Sequence, residues 1–173
     1  MLNELYAKVT AHEKIPKNNY LAHFFFMPPS TFNVFSGKYT IEETEIHVGF
    51  YNQETHKIFS YKLLNDDIEL IPEQEIFQKE KDSVQEVQIS EVTVSFDDVL
   101  KKIAQYIFDT YKDTVSLKTL IVLQVIKPFG LVWNITVLRL DFKTLNLKID
   151  AKTGEIVDES LANLIDMKQT LQK

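Results

Sequence analysis

Apolar residues recur at every second position through much of the first half of the chain, and that period constrains the fold more than any other feature. Ile46, Val48 and Phe50 alternate with polar residues over positions 45–51, and Phe59, Tyr61 and Leu63 do so over 57–64. Period two puts each set on one face of a half-buried strand. The polar stretches 52–56 and 65–67 supply turns, and residues 68–71 resume as a short strand. Upstream, residues 20–27 (YLAHFFFM) read as a strand closed by Pro28-Pro29. Leu2, Leu5, Tyr6 and Val9 instead sit at helical spacing, in a short helix that Pro16 cannot continue. Residues 31–40 read as a further strand or irregular segment broken at Gly37. The first half is therefore expected to be one helix followed by an antiparallel meander.

The second half repeats that order. Ser95 with Asp98 three residues on forms a variant capping box. The helix after it, to about Lys112, carries Val99, Leu100, Ile103, Ala104, Ile107, Phe108 and Tyr111 as a wide apolar stripe. Strands are expected over 119–127, 131–141 and 145–150, with a Pro128-Phe129-Gly130 turn between the first two. Asp150 to Gly154 makes a tight hairpin turn, Gly154 supplying the positive φ. The strand resumes over 155–157, and a last helix capped by Asp158 or Ser160 would carry Leu161, Leu164, Ile165 and Leu171. Between the halves, residues 72–91 are the most polar stretch, read as a surface connection or an edge strand over 84–89. The chain is accordingly divided into an α+β unit at 1–90 and a second unit at 91–173. Residues 59–72 and 145–158 also echo one another at a shift of 86: Phe59, Tyr61 and Leu63 fall on Leu145, Leu147 and Ile149.

Residues 95–157 resemble the PepSY domain family. The likeness lies in the opening helix SFDDVLKKIAQYIFDTYK, the strands KTLIVLQVIK and LVWNITVLRLDF, and the closing hairpin LNLKIDAKTGEIV, whose Asp150, Thr153, Gly154, Glu155 and Ile156 match the family's final strand pair. It covers about a third of the chain, and the first half matches only in outline. The family is usually extracytoplasmic or membrane-tethered, and no leader or anchor is legible here. The resemblance implies a helix-on-sheet module, without chemistry of its own, that binds or restrains proteins such as peptidases. The shared positions are structural, so no functional residue is carried over.

Composition removes most chemistry. There is no cysteine, so disulfides, thiolate metal sites and cysteine nucleophiles are excluded. Neither a GxGxxG, a Walker A nor a GxSxG motif occurs. A net charge of −6 and a single arginine, Arg139, make nucleic acid a poor partner. No apolar run is long enough to span a bilayer and the N-terminus is no secretory signal, which reads as a cytoplasmic protein. His47 and His56, placed in opposing strands of one hairpin, could approach each other with Glu45 or Glu54 to bind a metal; two ordinary half-buried histidines are the bland alternative.

The twelve Phe and seven Tyr are unevenly placed. Phe24, Phe25 and Phe26 are consecutive and cannot share a face. With Phe50 and Tyr51 they are the candidate binding residues, unless both sheet faces are covered by helix and by the other half. Residues 120–126 and 131–140 are apolar on both faces too, which leaves packing of the halves or a homodimer open.

The sequence thus predicts an α+β fold of antiparallel meander sheets with helices on one face, in two loosely similar PepSY-like units. The function it points to is a non-catalytic module that binds a protein or peptide, inhibitory or regulatory toward a peptidase, with strand addition at an exposed edge as a mode of engagement. Two alternatives stay open: a small apolar ligand or lipid in an aromatic pocket of the first half, and a metal-dependent hydrolase centred on His47 and His56. No cofactor is expected.

Overall fold

Alternation and turn chemistry produce eight strands and two α-helices among the described residues of a computed structural model, which are 1–29, 43–65, 67–74, 84–112 and 116–163. Helix α1 spans Leu2–His12. Strands β1 (Asn19–Met27), β2 (Glu45–Asn52), β3 (Lys57–Leu64) and β4 (Asp67–Gln74) follow it. Helix α2 spans Phe96–Tyr111 and leads into β5 (Ser116–Ile126), β6 (Gly130–Arg139), β7 (Lys143–Asp150) and β8 (Ile156–Asn163). Local chemistry sets the boundaries. Ser95 caps α2, its Oγ accepting the Asp98 N–H at 3.2 Å. The β7–β8 turn is closed by Asp150 Oδ1, which accepts the N–H groups of Lys152 and Thr153 at 2.8 Å each, with Gly154 at φ +76°.

All eight strands form a single antiparallel sheet in the order β4-β3-β2-β1-β5-β6-β7-β8. This overturns the α+β expectation of separate meander sheets: the protein is mostly β, one sheet with two helices. The reason lies in the central strands. β1 and β5 are apolar on both faces, and they occupy the middle of the sheet, where each is hydrogen-bonded on both edges. Phe24 pairs with Leu123 and Phe26 with Ile121 across this seam. The two meanders therefore join edge to edge, not face to face, and the order reads the same outward from the seam in both directions. β7 begins and ends 86 residues after β3, the shift of the sequence echo.

One face of the sheet carries the core. Phe24, Val48, Tyr61, Leu123, Trp133 and Leu147 lie on it and are buried together with Val9 of α1 and Phe96, Val99, Ile103 and Ile107 of α2. Phe26 packs its ring 4.5 Å from Phe96 and 6.0 Å from Trp133, and the Trp133 indole N–H donates to the Val94 carbonyl at 3.2 Å. The Tyr61 hydroxyl donates to Glu13 at 2.8 Å, just past the end of α1. Burial, then that carboxylate, push the Tyr61 phenol up to about 12.

Two local expectations are corrected. The C-terminal helix does not begin at Asp158 or Ser160: both lie inside β8, paired with Lys148 and Asn146 of β7, and Leu161 is a strand residue opposite Leu145. Leu164, Ile165 and Leu171 fall outside the described residues, as do Phe32, Phe35 and Tyr39. Residues 84–88 form no edge strand. There the Val87 N–H donates to the Leu21 carbonyl at 2.8 Å, on the edge of β1 beyond its last pair with β5, His23 with Gln124, and a 3-10 turn follows at Ile89–Glu91.

Candidate functional site

Cross-strand partners share a face, so the pairing register also defines the side turned away from the helices. One register row crosses all eight strands on that side: Glu69, Lys62, His47, Phe25, Val122, Asn134, Lys148 and Asp158, in order from β4 to β8. No described helix or strand covers the middle of this face. The row has an internal logic. Each end carries a carboxylate beside a lysine, Lys62 with Glu69 at 3.9 Å and Lys148 with Asp158. Its centre, at the seam, is the apolar pair Phe25 and Val122.

On the first-half side the imidazole of His47 sits at 2.6 Å from Glu45 Oε1 through Nε2, and Lys62 Nζ reaches Glu45 Oε2 at 3.5 Å. Burial raises the Glu45 pKa, but the His47 hydrogen bond and the Lys62 charge together outweigh it and hold the carboxyl below its ordinary range. The ring of Phe25 meets that of His47 edge-on, 5.4 Å between centroids. Diagonally next to His47 is His23, opposite Gly49. Gly49 leaves room for that ring: a Cβ on it would stand 2.1 Å from His23 Cε1 and 2.4 Å from Nε2, so the ring could not keep this position. The His23 ring has no hydrogen-bond partner among the described residues. Burial, then the neighbouring His47, lower its pKa to about 4, so it is a neutral imidazole laid over the strand.

On the second-half side the groups are amides and hydroxyls. The Asn146 Nδ2 donates to Asn134 Oδ1 at 2.8 Å, to Thr136 Oγ1 at 3.1 Å and to the Ile135 carbonyl at 3.1 Å. Lys148 Nζ donates to Asn146 Oδ1 at 3.4 Å and stands 5.0 Å over the Phe129 ring. The face is thus a prearranged set of donors and acceptors around an apolar centre.

The candidates named from sequence are distributed differently from their expectation. Phe24, Phe26 and Phe50 are buried in the core on the helix side. Phe25 alone of the triplet turns to the open face. Tyr51 also points to that side but is buried, its hydroxyl 2.8 Å from His56 Nδ1 and its ring 5.3 Å from Tyr20. His47 and His56 do not meet: His47 pairs with Lys62 well inside the hairpin, while His56 lies in the turn beyond Asn52 with Tyr51 as partner. Among the described residues no group of three or more His, Cys, Asp or Glu side chains could hold a metal ion. Sequence reading missed His23, Gly49, Asn134, Asn146, Lys148 and Asp158. The period of each strand marks them as opposite to the apolar set, but only the register shows that they form one surface.

No protein-family model and no curated protein matches the chain. Among solved structures, a putative lipoprotein from Clostridium difficile 630 is similar in fold, with a TM-score of 0.56 and 8% sequence identity over 92% of this chain and 91% of that one. No helix among the described residues is long and apolar enough to cross a membrane.

Proposed function

We propose that the protein is a non-catalytic binding module that takes a protein or peptide on the open face of its sheet. The eight-strand row carries this reading. It combines an apolar centre with a polar, charge-paired periphery, the distribution found in protein interfaces. At about 4.8 Å per strand the row is wide enough, roughly 35 Å, for a partner of ordinary interface size. The PepSY resemblance of residues 95–157 supports the same class of function and names a peptidase as the kind of partner to try first.

The edges are poorer docking points than the face. β4 carries Pro72, three acidic residues and a bulge opposite Phe59, and β8 carries a bulge at Val157. Both devices discourage strand addition. Photo-crosslinking residues placed at Phe25 and at Asn134, with an exposed control at Lys101 on α2, test the assignment in a native extract. Adducts to a protein from the first two positions and none from the control are expected. Equal labelling at all three, or labelling at Lys101 alone, would sink the reading.

A further inference from the structure

The turn between β6 and β7 consists of Leu140, Asp141 and Phe142, and it breaks two rules at once. Phe142 is 61% exposed and Leu140 52%, the two most exposed large hydrophobic residues described, with Leu117 at 38% beside the end of β6. Phe142 also has φ +57°, a left-handed backbone conformation that a bulky aromatic residue rarely adopts. Glycine or asparagine would suit that position better on both counts, so exposure and conformation both call for a role outside folding.

The surroundings specify what the turn meets. Although the whole chain carries −6, this end presents Lys118 opposite Leu138 and Lys143 directly after Phe142, while Arg139, directly before the turn, is largely buried over the Tyr111 ring at 4.6 Å. Asp141, the acid of the turn, is paired internally with Lys143 at 3.1 Å and with Arg139 at 3.7 Å. The tip offers three exposed apolar side chains, Leu117, Leu140 and Phe142, far short of the roughly 800 Å² that each partner contributes to a stable protein interface. An aromatic ring and leucines rimmed by lysines are, however, what an anionic bilayer surface accepts, the rings at headgroup depth and the cations against lipid phosphates.

We propose that the Leu140–Asp141–Phe142 turn is a membrane-docking tip, inserting Phe142 and Leu140 into the interface of an anionic bilayer while Lys118 and Lys143 engage the headgroups. The proposal is independent of the open face and does not require a membrane-spanning segment. The test is co-sedimentation with phosphatidylcholine vesicles with and without phosphatidylglycerol. The protein should sediment with the anionic vesicles, less so as salt rises. Phe142→Gly, which suits the left-handed backbone and so preserves the fold, should weaken that binding by about tenfold or more. Phe142→Trp should show a blue-shifted emission on adding the anionic vesicles, against the constant signal of buried Trp133. Absence of sedimentation with either vesicle, or unchanged binding by Phe142→Gly, would overturn the proposal. So would a concentration-dependent dimer in lipid-free solution that Phe142→Gly dissolves, since the tip would then be a contact between copies.

Discussion

Replacing Gly49 by alanine probes the seat of His23 with a single methyl group. The added Cβ would lie 2.1, 2.4 and 2.6 Å from Cε1, Nε2 and Nδ1 of the imidazole, where ordinary carbon contacts are about 3.5–4.0 Å. No rotation in place satisfies three ring atoms at once, so the ring must leave its position. Overpacking of this kind costs about 1–3 kcal/mol, offset by about 0.5–1 kcal/mol because alanine suits a strand interior better than glycine. Gly49→Ala should therefore destabilise the protein by about 1–2 kcal/mol in urea unfolding at neutral pH. In a His23→Ala background the obstruction is gone, and the same change should be neutral or stabilising by up to about 1 kcal/mol. The cycle thus has a coupling of about 2 kcal/mol, well above the additivity error of independent sites. Equal cost in both backgrounds would refute the seat. So would a Gly49→Ala protein of unchanged stability, since the ring would then be free to swing aside.

Three further outcomes follow from the same geometry. His23 is held at about 4 against an ordinary 6.5, so between those values the folded chain binds fewer protons than the unfolded one. Its contribution is complete above pH 6.5, falls by up to about 3 kcal/mol as pH drops to 4, and is constant below; His23→Leu should remove that part of the slope when urea midpoints are compared at pH 7 and 4.5, and an identical slope would count against the buried neutral ring. Ser95→Ala removes the acceptor for the Asp98 N–H and should lower stability by about 1 kcal/mol, read as a shift in urea midpoint at constant m-value. Phe142→Gly should raise the melting temperature slightly, because relieving the left-handed backbone gains about 1–2 kcal/mol against about 1 kcal/mol lost to glycine entropy; a marked fall would mean that the ring serves the fold.

Elements whose pattern is local were legible in the sequence. β3 runs over the residues that alternation assigns to it, and α2 starts at its capping serine because stripe and cap agree. What failed depended on partners far away in the chain. Residues 158–165 have a cap-like acid and apolar residues at helical spacing, yet Asp158 is tied to Lys148, and Glu159 accepts hydrogen bonds from the Tyr106 and Tyr111 hydroxyls of α2. Those contacts, with the β7 ladder, override local propensity. The Phe24–Phe26 run shows that both faces of β1 are apolar, but only the pairing with β5 shows that the second strand edge is also occupied. The candidate site suffered most, since a row contributed by eight strands has no sequence spacing of its own.

The pairing of β1 with β5 has a mechanical consequence. Every other ladder in the sheet joins strands consecutive in the chain, over short turns except for β1 with β2, which are joined by residues 28–44. The seam alone closes over about a hundred residues, through four paired positions against the ten of β5 with β6. Loop closure makes it the last line of the sheet to form, and on the helix side Phe26 of β1 packs across it against Phe96 and Trp133. A partner seated over Phe25 and Val122 would span that line and brace it. Occupancy of the open face would then register as resistance to pulling the two halves apart.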